Sequence, residues 1–387
     1  MKIVMPDLPP GAASLSDYRS AARRRLPRFA FEYIDGGIGR DVGMARNYSD
    51  LDQVHITPRI NDDPAEVDAS CTLLGEQWAA PFMVAPVGMS SMFHPRAAST
   101  LALKAKALNI PFCLSLVAGE TTEAVAARAG TPPWQQLYWP SDLDVQTDIL
   151  ARMKAMRVET LMITVDIPVW QWRERSVRAK TTSAPGLGAR LKAAASAPGW
   201  ALAMARGGMP TMPNLAPYVT GGNPEVEQWM FQNTLRPVGV EEVKSLRDRW
   251  NGKLIVKGVM APEDARAFVN IGVDGIVVSN HGGRQLDAAP SGAALLPPIV
   301  AEVKGETTIL ADGGVADGLD VLRMLRLGAD YVMVGRLPYF AMAGYGDRGA
   351  AALDLLALQI KTVMTQIGVR KLSDLQGLNA TFNGAAI

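Results

Sequence analysis

The sequence predicts a closed (β/α)8 barrel, and three observations carry that prediction. From residue 82 onward, short apolar runs rich in β-branched residues alternate with amphipathic stretches of helical period, the mark of a parallel α/β fold. Eight such runs can be counted, and eight strand–helix units need roughly 250 residues. Polar and charged residues gather at the C-terminal ends of these runs, where the strand ends of a barrel converge on one mouth. A doubly wound open sheet is the rival architecture, but it rarely needs eight such regular units.

Residues 1–80 read as a helical cap, with helices near 14–25 and 27–35 and then an extended segment leading into the barrel. Strands are expected at FMVAP (82–86), IPFCLS (110–115), WQQLYW (134–139), TLMITVD (160–166), KLIVKG (253–258), GIVVSN (275–280), TTILAD (307–312) and YVMVG (331–335). Helices are expected at 97–108, 121–129, 142–156, 261–271 and 316–327. Gly272 and Gly328 stand just past the last two as left-handed stop signals. Residues 167–238, between the fourth and fifth strands, form a connection several times longer than the others. Leaving the mouth of the barrel, a stretch of that length reads as a functional lid. One domain over 1–387 is expected, with the barrel at 81–370.

Composition narrows the function. The chain is 48% hydrophobic, and its 39 Lys and Arg almost balance its 38 Asp and Glu. That suits a protein with a large core and leaves no basic surplus to drive nucleic-acid binding. The two cysteines, Cys71 and Cys113, have no metal-ligand spacing and cannot staple a chain of this length, so no metal site is expected and both read as buried apolar residues in a reducing compartment. The N-terminal stretch carries Asp7 and Asp17 and lacks the apolar core of a signal peptide, which points to the cytoplasm. The run LKAAASAPGWALAMAR (191–206) is interrupted by Pro198 and Gly199 and is too broken to span a bilayer. Two readings stand for it: a surface that docks through Trp200, Leu202 and Met204 on the inner face of a membrane or on a protein electron acceptor, or a short helix packed on the barrel rim.

The strand ends supply the chemistry. Ser115, Gln136, Tyr138, Thr164, Asp166, Lys257, the run Ser279 to Arg284, Asp312, Gly335 and Arg336 form one polar mouth. Histidine occurs three times, at 55, 94 and 281. His55 reads as structural and His94 as a surface residue, whereas His281 sits at a strand end in SNHGGRQLD (279–287) and has the titration range of a general base. Gly282 and Gly283 permit positive φ, so His281 and Arg284 can face one pocket. Arg173 and Arg284 can each hold a carboxylate through paired hydrogen bonds, although Arg173 could instead pair with Glu174. Lys257 ends a buried strand and needs either an acidic partner or an electron-rich cofactor. ADGG (311–314) and VGR (334–336) end strands seven and eight, where barrels frequently bind phosphate on backbone freed by glycine. A non-redox barrel enzyme acting on a sugar phosphate, with Lys257 as a Schiff-base lysine, remains a rival on these residues.

FEYIDGG (31–37), QLY (136–138), TVD (164–166), VKG (256–258), SNHGGRQLD and ADGGV (311–315), in this order, resemble the FMN-dependent 2-hydroxy-acid oxidase and dehydrogenase family, which includes glycolate oxidase, L-lactate dehydrogenase and (S)-mandelate dehydrogenase. The resemblance runs from about Tyr18 to beyond residue 370. It implies FMN as cofactor and oxidation of an L-2-hydroxy acid to the 2-oxo acid, with His281 as the base and Asp166 holding its imidazole. Arg284 and Arg173 would bind the substrate carboxylate, with Tyr33 and Tyr138 bonding the carboxylate or the substrate oxygen. Lys257 would lie against the pyrimidine side of the flavin. Ser115, Gln136, Thr164 and the backbone of Pro86, Val87 and Gly88 would bind the ring, Asp312 would reach the ribityl chain, Gly314, Gly335 and Arg336 would hold the phosphate, and Ser279 and Gly313 would also belong to the cofactor site. A homotetramer and a quinone or other electron acceptor are further implied, with a hydrogen-peroxide-producing oxidase as the alternative.

Two departures from the family's pattern matter. Ala316 stands where an arginine usually contacts the phosphate, which predicts weaker FMN retention. Val117 replaces a tryptophan of glycolate oxidase, and Gly88 stands where oxidases commonly carry alanine. Both enlarge the pocket, which makes glycolate the least expected substrate and favours lactate, mandelate or a larger analogue.

Overall fold

A computed structural model describes residues 5–60, 67–181 and 186–387; short stretches of the expected cap and lid lie outside the described residues. All eight expected barrel strands form: β1 Phe82–Val84, β2 Cys113–Ser115, β3 Trp134–Leu137, β4 Thr160–Thr164, β5 Lys253–Val259, β6 Gly275–Val278, β7 Thr308–Ala311 and β8 Tyr331–Val334. They pair in parallel in sequence order, and β8 returns onto β1 with Val332 opposite Phe82 and Val334 opposite Val84. A bridge from Val84 to Phe112 joins β1 to the start of β2 and closes the ring. Met83, Cys113, Met162, Ile255, Val277, Leu310 and Met333 form the inner cluster, while the outward residues pack under the helices. Strands buried on both faces read as continuous apolar runs, as β4 does with every residue buried.

The helices between them start on side-chain caps. Thr121, Asp142 and Asp317 each accept a backbone N–H from the first turn of the helix they precede, which satisfies donors the helix itself leaves free. Gly272 and Gly328 have φ of 77° and 107°, as the stop signals require.

One cap helix was not expected, and one barrel helix forms against its composition. The cap continues past Leu15–Arg25 and Arg28–Asp35 into a third helix, Val42–Asp52, where an extended segment is expected. It packs through Gly43, Asn47 and Leu51, two of which carry no hydrophobic signal. Gly292–Val303 follows β6 and contains Pro297 and Pro298, residues that argue against a helix interior. Val54–Ile56, just after the third cap helix, pairs antiparallel with Ala380–Phe382, Val54 lying opposite Phe382. The helix Leu15–Arg25 lies against Arg336–Tyr345 through edge-to-face stacking of Tyr18 on Tyr345.

The long connection after β4 carries the helices Glu174–Ala179, Leu187–Ser196, Pro198–Gly207 and Asn223–Thr234. Of the two readings of 191–206, docking through its apolar side chains fails and the rim helix holds. Trp200 and Met204 are 4% and 3% exposed, so they cannot dock on anything outside the molecule. The Trp200 indole N–H donates to the Met92 carbonyl at 2.8 Å and its ring stacks edge-on against Phe29, so the helix packs on the rim and only Leu202 of the three faces solvent. His94 is not a surface residue either. Its side chain is 15% exposed and sits 3.8 Å from the Asp347 carboxylate, and burial pushes its pKa down.

Candidate functional site

His281 is presented by a loop with three successive residues at positive φ, His281 at 56°, Gly282 at 66° and Gly283 at 72°. A left-handed histidine costs on the order of 1–3 kcal/mol, and surrounding bonds over-determine it. The His281 N–H donates to Ser279 Oγ at 3.0 Å, and the Gly283 N–H donates to Asn280 Oδ1 at 3.0 Å. Asn280 in turn exchanges side-chain amide bonds with Asn47 of the third cap helix. A Cβ on Gly283 would lie 2.4 Å from the Met44 backbone nitrogen, so glycine there is a condition for the cap to close on the loop.

His281 Nδ1 lies 3.0 and 3.1 Å from the two Asp166 carboxylate oxygens. Gly258, at φ 102° in an irregularity of β5, makes room for that carboxylate, since a Cβ would approach it to 2.5 Å. Burial lowers the His281 pKa below the ordinary 6.5, and Asp166 offsets that only in part. Burial raises the Asp166 carboxyl, but His281 and Lys257 outweigh it and hold it below the ordinary 3.8. At neutral pH the pair is therefore a neutral imidazole donating Nδ1–H to a carboxylate, with a lone pair on Nε2.

Lys257 is ion-paired to Asp312 at 2.9 Å and donates to Ser279 Oγ at 2.9 Å, and Ser279 donates to Asp312 at 2.5 Å. Burial works against the ammonium, yet Asp312 and Asp166 raise its pKa overall. Of the two partners a lysine there needs, the acidic one is present in Asp312. Beneath the mouth, Ser115 donates to Gln136 Oε1 and Gln136 Nε2 donates to Thr164, both at 2.9 Å.

One cavity of about 150 Å³ gathers Tyr33, Pro86, Val87, Gly88, Tyr138, Arg173, Lys257, His281, Arg284, Asp312, Gly313, Gly314, Gly335 and Arg336. Ser115, Gln136, Thr164 and Ser279 do not line it but lie in the hydrogen-bonded layer behind it. Ile34, Tyr48, Ile167, Val315 and Met333 also line it and were not singled out from sequence. Ile34 lies inside FEYIDGG and could have been found there, whereas Tyr48 sits on the unforeseen third helix and carried no signal.

Charge is the cavity's main feature. Arg173, Arg284 and Arg336 bond carbonyl oxygens and, among the described residues, no carboxylate: Arg173 reaches Arg284 O at 3.2 Å, Arg284 reaches Tyr33 O and Gly36 O at 2.7 Å each, and Arg336 reaches Ile34, Gly36 and Gly282. The alternative of an Arg173–Glu174 pair is not realised, because Glu174 accepts from the Gly39 N–H. Burial lowers the pKa of Arg173, and it lowers that of Arg284 strongly with Arg173 adding repulsion. All three guanidinium groups are partly withdrawn from water with only neutral oxygens around them, and such cations favour an anion beside them, so the cavity suits anions. Its far end is the N-terminus of Arg336–Tyr345, where Gly335 supplies no capping side chain, an arrangement suited to phosphate. Gly313 and Gly314 stand beside it at positive φ, and a Cβ on Gly314 would strike the Asn47 carbonyl at 2.2 Å. Ala316 puts no charge there. These residues fit a phosphorylated cofactor with a second anion held between Arg173 and Arg284. Burial also raises the Tyr138 phenol, keeping it a donor, while the Tyr33 ring lies 5.1 Å under the Arg284 guanidinium.

The model of the FMN-dependent dehydrogenase family matches residues 22–380. The chain is 42% identical over 373 residues to an L-lactate dehydrogenase of Caulobacter vibrioides (strain NA1000 / CB15N), covering 95% of this chain and 97% of that one. It is 39% identical over 367 residues to an L-lactate dehydrogenase of Xanthobacter autotrophicus, with 94% and 95% covered. A crystal structure of mandelate oxidase superposes with a TM-score of 0.81 at 32% identity, over 96% of this chain and 98% of that one. Fold, charge distribution and sequence agree, and the chain belongs to the FMN-dependent dehydrogenase family as a flavin-dependent oxidoreductase.

Proposed function

We propose that this protein oxidises an L-2-hydroxy acid of the lactate or mandelate kind, or a larger analogue, to the 2-oxo acid. The observation that carries the reading is His281, held by Asp166, facing the same cavity as two partly buried arginines that bond no carboxylate among the described residues. Arg173 and Arg284 hold the substrate carboxylate, which cancels their mutual repulsion and fixes the C2 carbon near His281. Tyr138 donates to the substrate. His281 Nε2 takes a proton, and Asp166 stabilises the imidazolium that forms. FMN, when bound, accepts the two electrons. Lys257, kept protonated by Asp312, places positive charge where negative charge then develops.

Anaerobic bleaching of the flavin absorbance by a panel of glycolate, L-lactate and mandelate tests the reaction. Bleaching by lactate or mandelate with glycolate the slowest is expected, and no bleaching by any 2-hydroxy acid overturns the reading. The pH dependence is set by His281, which must be neutral to act. Since its pKa is lowered, kcat/KM should rise with pH and reach its plateau with an inflection below 6.5; an inflection above that value contradicts His281 as the base.

We further propose a dehydrogenase that passes its electrons to a quinone or another acceptor, works in the cytoplasm and assembles as a tetramer. Gly88 supports the first point through the family resemblance. In this chain the glycine has a packing reason too, because a Cβ there would lie 2.7 Å from Val117 Cγ2. Reoxidation of the reduced enzyme should be slower in air-saturated buffer than with a quinone or dye. Equal rates with stoichiometric hydrogen peroxide make it an oxidase.

A further inference from the structure

Arg173 reaches the cavity from a helix with little of its own to stand on. Glu174–Ala179 is six residues long, none of them is buried, and no side chain caps its start. Isolated helices of that length are not stable in water, so its place depends on what ties it down. Arg173 is the residue at its N-terminal cap, with its N–H bonded to the Gln171 carbonyl and its own carbonyl to the Val177 N–H, so the arginine goes where the helix goes. The next two residues fasten this stretch to the cap. Glu174 accepts the Gly39 N–H at 2.9 Å. Arg175 donates to three carboxylates at once, from Nε to Glu32 at 2.6 Å, from Nη2 to Asp35 at 2.5 Å and from Nη1 to Asp41 at 3.0 Å. Asp35 is 3% exposed and also accepts from Nε and Nη2 of Arg19. Burial raises the pKa of its carboxyl, but the two arginines outweigh burial and hold it below the ordinary 3.8.

Glu32 and Asp35 flank Tyr33 on the helix Arg28–Asp35, and Tyr33 lines the cavity opposite the lid, as Arg173 does from it. Single ion pairs near the surface contribute little, but here one guanidinium is shared by three carboxylates, one of them buried, and only its planar fork of donors can serve all three in fixed directions. We infer that Arg175, which does not itself line the cavity, is a positioning residue for substrate binding: its three carboxylate bonds hold the lid helix against the cap and so set Arg173 relative to Tyr33. The inference rests on the carboxylate site proposed above and goes beyond it, giving a role to the acidic residues of FEYIDGG and to a lid arginine outside the site. A carboxylate gripped from two separate segments binds well only when both are already in place, since otherwise binding must also order them. His281 and Asp166 stand at the ends of β6 and β4 and are bonded to each other, so loss of the clasp falls on binding and spares the proton transfer.

The experiment is anaerobic single-turnover flavin reduction of the FMN-loaded Arg175→Gln, Arg175→Lys and Glu32→Gln variants by L-lactate and mandelate, with titration of the matching 2-oxo acids by flavin difference spectra. In Arg175→Gln the substrate concentration for half-maximal reduction and the dissociation constant of the 2-oxo acid should each rise about tenfold or more, while the limiting rate stays within about threefold of wild type. Arg175→Lys should recover part of the loss, and Glu32→Gln, which weakens one arm of the clasp, should show a smaller rise of about threefold in the same direction. Variants that melt at lower temperature with unchanged half-saturation make Arg175 a stabilising residue only and overturn the inference, as does a loss confined to the limiting rate. Should Arg175→Gln fail to fold, the half-saturation values of the other two variants decide. Absence of flavin reduction in the wild type by every 2-hydroxy acid removes the reading on which the inference stands, and is seen before any variant is made.

Discussion

Replacing His281 by Gln leaves FMN bound and slows flavin reduction by substrate by about 10³-fold or more, the scale of a lost general base. The phosphate end of the cavity is built from Gly313, Gly314, Gly335 and Arg336, none of which depends on the imidazole. What disappears is the Nε2 lone pair and the charge relation with Asp166 at 3.0 Å. Position 281 sits at φ 56°, a region that asparagine tolerates better than most residues, so His281→Asn serves as the companion variant with less backbone strain. Stopped-flow bleaching of both variants at saturating substrate is the measurement. Reduction at a rate comparable to wild type by either one removes His281 from the reaction.

Arg284→Lys is expected to weaken binding of the 2-oxo acid and of carboxylate inhibitors by roughly thirtyfold or more, the cost of spoiling a buried charge contact. The guanidinium already spends Nη1 on the carbonyls of Tyr33 and Gly36, leaving its other face for a carboxylate. An ammonium is a point charge and cannot hold the cap carbonyls and the substrate in one plane together. Inhibitor titration by flavin difference spectra reads the effect directly, and an unchanged dissociation constant would take Arg284 out of the carboxylate site. A parallel change in melting temperature is expected, because the same side chain fastens Tyr33 and Gly36 to the barrel.

The barrel was legible because its strands are buried on both sides, so β4 and β6 appear as unbroken apolar runs ended by Asp166 and by Asn280–His281. Strand ends sorted residues such as Tyr138, Lys257, His281, Arg284, Asp312 and Arg336 with no knowledge of distances, the family resemblance added Tyr33 and Pro86 to Gly88, and all of these line one cavity. Failures have two causes, a buried helix face that is not hydrophobic and an apolar face whose covering neighbour is not visible in sequence. Val42–Asp52 binds through Asn47 and Gly43, and so Tyr48 escaped notice. Trp200 and Met204 had the composition of an interfacial segment, and only the placement of Met92 and Phe29 decides that they turn inward. A sequence shows that a residue is apolar, not which neighbour will cover it.

The antiparallel pairing of Val54–Ile56 with Ala380–Phe382 concerns folding kinetics. Together with Arg284 and Arg336, which hold Tyr33, Ile34 and Gly36 from the far end of the chain, it gives the first fifty or so residues partners that are synthesised last. Contacts of such large separation make folding slow, because loop closure must precede their gain. Until those contacts form, Phe31 and Ile34, both buried in the folded molecule, stay exposed to water. The anion-binding cavity, walled by that same segment and by Gly335 and Arg336, is complete only once these distant stretches have met.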